Sequence, residues 1–171
     1  ALTMRLFKKE KKSGSMETLM TLPVNEVHVV TGKYLASFLS TLIMISPSIF
    51  YVITTAIFGD PDVGPIIGGY IGTIFLCAGF TAVGVFASSV TKNQIIAFFT
   101  GFIICIALTM IDTFLIFLPS NIVEFVSYIS ADMHFRSITQ GIIDSRDLVY
   151  FITVFALFFT ATIKVQQNAK K

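Results

Sequence analysis

The chain has 171 residues, a formal net charge of +2, 54% apolar residues including 18 Phe, and only 13% charged residues, with a mean hydropathy of +0.82. A soluble domain carries roughly 25% charged residues, so this composition cannot furnish a water-facing surface and points instead to an all-α integral membrane protein. Nucleic acid is excluded as a partner, because no basic patch interleaves with aromatics as such a binder requires.

The sequence opens Ala1-Leu2-Thr3, with no initiator Met, signal-peptide pattern or first span before its basic cluster, and is read as a fragment whose N-terminal part lies elsewhere. Arg5, Lys8, Lys9, Lys11 and Lys12, with Glu10 among them, lead into Ser13-Gly14-Ser15. Met16 to Leu22 then reads as a short helix, with Ser15 as N-cap, Glu17 beside the positive helix end and Pro23 as its stop. Met16, Leu19 and Met20 share one face, on a helix too short to be stable alone. It must rest on lipid or dock into a groove on a partner. Asn25 caps a further helix that starts at Glu26 and runs through Val27, Val29 and Val30 into the first span.

Uncharged runs follow at 34–59, 63–91, 93–111 and 148–163. Crossing a hydrocarbon core of about 30 Å takes about 20 predominantly apolar residues. The first three runs suffice and the fourth reaches that length with its flanks. The predicted spans are 34–58, 66–91, 94–117 and 146–165, within a transmembrane domain over 34–165. Gly59-Asp60-Pro61-Asp62 with Gly64-Pro65 is a turn cluster that neither helix can continue through, so the first two spans form an antiparallel hairpin. Gly68 with Gly72, and Ala97 with Gly101, make small-xxx-small faces for close helix packing in lipid.

Between the third and fourth spans, Asn121 can cap a helix with Glu124 three residues on, carrying a stripe of Ile122, Phe125, Val126 and Ile129. A second short piece, roughly Met133 to Gln140, ends at Gly141. Together they predict a short outer helical pair over about 120–143, lying at the interface. Asp144 then caps the last span, with Asp147 completing a capping box. Ten of the twelve Lys and Arg fall in 1–33, at Lys92 or in the tail after 163, against Arg136 and Arg146 in the alternate connections. The positive-inside rule therefore places 1–33, Lys92 and the tail 166–171 in the cytoplasm.

Few groups in this chain suit chemistry. Asp112 is the ionisable residue nearest membrane depth, about 26 Å along the third span at about 1.5 Å per residue, and reads as an outer-interface carboxylate or a pathway contact. His28 and His134 fall on opposite sides of the membrane and cannot share a metal, while Cys77 and Cys105 sit in apolar runs as packing residues. Lys33 and Lys164 flank spans and snorkel to headgroups. Thr31-Gly32-Lys33-Tyr34 fails as a phosphate-binding loop, because Val27 stands where Gly is needed and Tyr34 where Ser or Thr is needed. No catalytic, cofactor-binding or metal site is predicted, and any ATP would be bound by another chain.

Glu10-Lys11-Lys12-Ser13-Gly14-Ser15-Met16-Glu17, then Leu22-Pro23-Val24 and Gly32-Lys33, resemble the cytoplasmic signature of ABC-2-type transporter permease subunits. His134-Phe135, Gly141-Ile142-Ile143-Asp144 and Arg146-Asp147 are similar to its gliding-motility and nitrous-oxide-reductase-maturation branch. The run from Lys8 to Lys12 is more basic than that pattern, which suggests extra lipid attachment. The resemblance implies a multi-pass protein of a bacterial inner membrane with six spans, of which these four are the last. It also implies a second permease copy or homologous permease, and a cytoplasmic ATPase subunit holding ATP and Mg. The coupling helix would be Ser15 to Leu22, with Gly14, Ser15, Met16, Glu17, Leu19, Met20, Leu22 and Pro23 as the coupling residues. The function so implied is the permease subunit of an ATP-driven exporter. The alternatives are an ion-coupled secondary transporter, which calls for ionisable groups near the midplane, and a membrane assembly or scaffold subunit.

Overall fold

The computed structural model describes residues 26–91, 93–111, 113, 128–141 and 144–170. Every regular element among them is helical: α1 Glu26–Ile45, α2 Ser48–Phe58, α3 Val63–Val90, α4 Gln94–Met110, α5 Ala131–Thr139 and α6 Ser145–Lys170. Three stretches are long and apolar enough to cross a bilayer, Val27–Phe58, Val63–Val90 and Ser145–Asn168. The helix α4 is apolar but has 17 residues, a rise of about 26 Å against a hydrocarbon core of about 30 Å. The chain is thus an all-α, multi-pass membrane protein with three spanning stretches among the described residues, where the sequence suggested four.

The first uncharged run does not form one uninterrupted helix. Pro47 has no N–H, and its ring displaces the carbonyl four residues back, that of Ile43. The hydroxyl of Ser46 donates to that Ile43 carbonyl at 2.8 Å, so the group freed by the break keeps a partner in a medium without water. Ser46 N–H still reaches Leu42 O at 3.0 Å, and Ile49 and Phe50 close three-residue bonds onto Ser46 and Pro47 at 3.2 and 3.1 Å. The chain then resumes as α2, with Ser48 Oγ and the Tyr70 hydroxyl 2.9 Å apart across the hairpin.

Cap chemistry fixes the other boundaries. Asp62 accepts from Gly64 N–H at 3.1 Å to start α3, and Asn93 accepts from Ile95 N–H at 3.1 Å to start α4. Asp144 accepts from Arg146 N–H at 3.0 Å to start α6.

The helix α3 is central and packs against α1, α4, α5 and α6. Its buried residues are nearly all small, among them Gly68, Gly72, Gly79, Ala82, Ala87, Ser88 and Ser89, which lets neighbouring backbones approach. The helix α1 presents Val30, Tyr34 and Ser37, one buried stripe at helical spacing. Tyr34 donates its hydroxyl to Ala78 O at 3.2 Å and lies against Phe155, with ring centroids 4.9 Å apart. Gly101 on α4 faces α3, where an added Cβ would lie 3.4 Å from that of Ala87. Hydroxyls along the helices largely satisfy themselves on the carbonyl four residues back, as Thr73, Thr109, Thr153 and Thr162 do at 2.7 Å.

Candidate functional site

Most of the residues singled out by sequence lie outside the described part of the chain. This holds for the coupling set Gly14, Ser15, Met16, Glu17, Leu19, Met20, Leu22 and Pro23, for Asp112, for Lys92, and for the first outer helix with Asn121 and Glu124. The described residues do place His134 and Asp147. They also bring together a cluster that sequence reasoning did not assemble, at the end of the bundle where α3 and α6 begin.

That cluster is organised by α5. Ser130 N-caps the helix by accepting from Met133 N–H at 3.4 Å, and Asp132 pairs with Arg136 Nε at 2.7 Å one turn on. The helix ends at Gly141, whose φ of +83° suits a residue without a side chain. Gly141 rests on Gly64 and Pro65, and a Cβ on Gly68 would collide with the carbonyl of Ile138. At Gly72 an added Cβ would meet Phe135 and Ile138 at 3.2–3.3 Å. The Gly68–Gly72 face therefore serves the nine-residue α5 and not another long helix. Ala131, Ile138 and Phe151 form the fully buried centre, enclosed by Phe75, Phe80 and Leu148 among others.

A polar network fastens α5 to α6. His134 Nδ1 lies 2.6 Å from Asp147 Oδ1, and its Nε2 lies 3.1 Å from the carbonyl oxygen of Tyr128. The Tyr150 ring stacks on the imidazole, with centroids 4.4 Å apart and planes 22° apart. Its hydroxyl donates to the next carbonyl, that of Ile129, at 2.7 Å. Two consecutive carbonyls of the turn before α5 are thus held by two stacked rings, one from α5 and one from α6.

Asp147 does not close a capping box. Asp144 caps α6 as its position predicts, but the Asp147 carboxylate turns away to His134, thirteen positions earlier. The folded position of α5 brings the His134 ring within 2.6 Å of that carboxylate, and it takes the oxygen a capping box would use. The second oxygen, Oδ2, is buried and has no hydrogen-bond partner among the described residues. The one signal in sequence was the placement of a His and an Asp on either side of the Gly141 turn.

No group of three or more His, Cys, Asp or Glu able to hold a metal occurs among the described residues. The cluster joins the turn before α5, α5 itself and the start of α6.

Comparison with known proteins gives one family. The model described as ABC-2 family transporter protein matches residues 1–163. No curated protein matches the chain, and no solved structure does.

Proposed function

The chain belongs to the ABC-2 transporter family, and from that premise we propose that it is the permease subunit through which a separate cytoplasmic ATPase drives export across a bacterial inner membrane. The observation that carries this reading is the family match over residues 1–163, on a chain whose long helices are apolar on the outside. It fits the absence of a phosphate-binding loop from this sequence, since ATP and Mg would then belong to the partner. On this reading residues 94–117 make a fourth span of a six-span family architecture. Both 1–33 and the tail lie in the cytoplasm, and the branch is the gliding-motility and nitrous-oxide-reductase-maturation one. A second permease completes the membrane part.

Coupling runs through residues 14–23. Leu19 would be the apolar anchor, with Met16 and Met20 beside it, Glu17 at the helix start, Gly14 and Ser15 shaping the entry, and Leu22 and Pro23 the exit. ATP-driven closure of the partner would move this helix and switch the dimer between inward- and outward-facing states. Asp112 sits at the outer mouth on the same reading.

Burying one Leu side chain in a groove contributes about 1.5–3 kcal/mol, so Leu19→Asp should weaken ATPase association about tenfold or more while leaving membrane insertion intact. Cysteines at Thr18 or Thr21 should cross-link to the ATPase. Retention of both ATPase association and transport by Leu19→Asp, with those cysteines reaching only lipid, would remove the coupling assignment. Cysteines at Asp62 and Ser127 should react with an impermeant reagent from outside, and those at Ser13 and Asn168 should not. Labelling of Ser13 from outside intact cells would invert the topology.

A further inference from the structure

We propose that the groove between α2, α3 and α5 binds one acyl chain of a diacyl phospholipid, whose ester carbonyl takes a proton that the Ser48 and Tyr70 hydroxyls leave unspent. The groove spans the Pro47 break, with Ile45 before it and Val52 after it, and is completed by Ile66 and Gly69 of α3 and Phe135 of α5. Its volume is about 280 Å³. Over Gly69 it is open, since a Cβ added there meets nothing within 4 Å.

The side-chain polar groups along the groove are the hydroxyls of Ser48, Tyr70 and Thr73, and their protons identify what it accepts. Thr73 spends its proton on Gly69 O at 2.7 Å. Nearby, Ser46 and Thr54 donate to the carbonyl three residues back at 2.8 Å, but Ser48 turns across the hairpin to Tyr70, 2.9 Å away. Neither of these two hydroxyls has a second partner among the described residues. Each carries one proton, so whichever donates across the pair, the acceptor's own proton is left over. In a medium without water, a donor left over is costly until an acceptor reaches it.

Depth supplies the acceptor. The helix α3 has 28 residues and rises about 42 Å, against a hydrocarbon core of about 30 Å, so its ends overhang by about 6 Å each when it is centred. Tyr70 comes seven residues after Val63, about 10 Å along, and so lies about 4 Å inside the hydrocarbon boundary on the α5 side. The ester carbonyls of a diacyl lipid stand at that boundary, a level that tyrosine itself prefers. Size and polarity exclude other occupants. One turn of a helix with its side chains, about 10–12 Å across, fills roughly 500 Å³. Ordered water needs about two to four polar partners, and no lining residue carries a charge for an ion. A cavity of roughly 150 Å³ admits one benzene ring, so this groove takes a length of alkyl chain. The assignment depends neither on which way the protein faces nor on its pairing with an ATPase.

Native mass spectrometry of the full chain in detergent tests the site, by titration with dioleoyl phosphatidylcholine and with its dialkyl ether analogue, which has the same chains and headgroup but no carbonyl. One molecule of the ester lipid should bind roughly threefold to tenfold more tightly than the ether, the worth of one hydrogen bond between neutral groups. Ser48→Ala combined with Tyr70→Phe removes both hydroxyls and should bring the two lipids to equal affinity. Gly69→Leu fills the groove and should abolish tight binding of both. Val52→Phe, on a helix with no buried residue, narrows the groove from the other side and should weaken both without touching α3. A wild-type protein that does not distinguish ester from ether would overturn the proposal. So would an ester preference that survives in the double variant, or binding as tight as wild type in Gly69→Leu and Val52→Phe.

Discussion

The helix α2 buries none of its eleven residues, and Phe50, Tyr51, Ile57 and Phe58 stand between 71% and 89% exposed. The helix α5, shorter and far more polar, buries Ala131 and Ile138 and is tied down at both ends by hydrogen bonds, a glycine turn and stacked rings. In water the order of attachment would be reversed, since apolar area removed from solvent drives packing. In a bilayer, lipid tails receive Phe58 as well as another helix would, so large apolar side chains give no reason for contact. Attachment comes instead from small residues that let backbones meet and from polar groups that lipid cannot satisfy. The long apolar stretches place this protein in the membrane, and its glycines and buried polar bonds hold the helices to each other.

Cavity formation probes that contrast most strongly. Ile138→Ala should lower stability by roughly 2 kcal/mol or more, read as a fall in the thermal unfolding midpoint of purified protein in a defined detergent. Phe58→Ala should leave the midpoint nearly unchanged. Equal losses would mean that α2 has a packing partner within this chain, and the contrast would fail.

Next comes close approach. Gly68→Ala forces a methyl into the Ile138 carbonyl and should cost about 1–3 kcal/mol. Gly69→Ala, with nothing within 4 Å, should gain up to about 1 kcal/mol from helix propensity. The same melts compare the two, and a Gly68→Ala protein as stable as Gly69→Ala would show that α5 does not sit on this face.

The single polar bond is smaller. Tyr150→Phe keeps the ring stack but frees the Ile129 carbonyl, for a loss of about 1 kcal/mol, and Tyr51→Phe on the exposed α2 should change nothing measurable. Smallest is the break between α1 and α2. Ser46→Ala uncovers the Ile43 carbonyl, and a loss of about 0.5–1.5 kcal/mol should appear together with faster amide exchange around residue 47.

Where these helix ends were legible, at the Gly59–Pro65 turn cluster and at Asp144, it was because turn and cap residues act locally. Asp62, Asn93 and Asp144 each bond an N–H two residues on, and Gly141 marks a stop that any L side chain would strain. The break at Pro47 was not, since a run judged by charge and length passes over one proline whose lost bond is repaired by the preceding serine. The role of Asp147 was hidden by a competing local rule. An acid three residues after a helix cap reads as a capping-box partner, and only the folded position of α5 offers His134 instead. The coupling residues 14–23 rest on the family resemblance, because a seven-residue amphipathic pattern between a basic stretch and a proline is compatible with lipid or protein on its apolar side.

The seating of α5 on Gly68 and Gly72 means that its position is set by main-chain contact and by its inward-facing side chains. Met133, Arg136 and Gln140 point outward and are exposed. This strip of the chain can therefore change composition without moving the spans beneath it. It is the natural place to attach a fluorophore or an epitope.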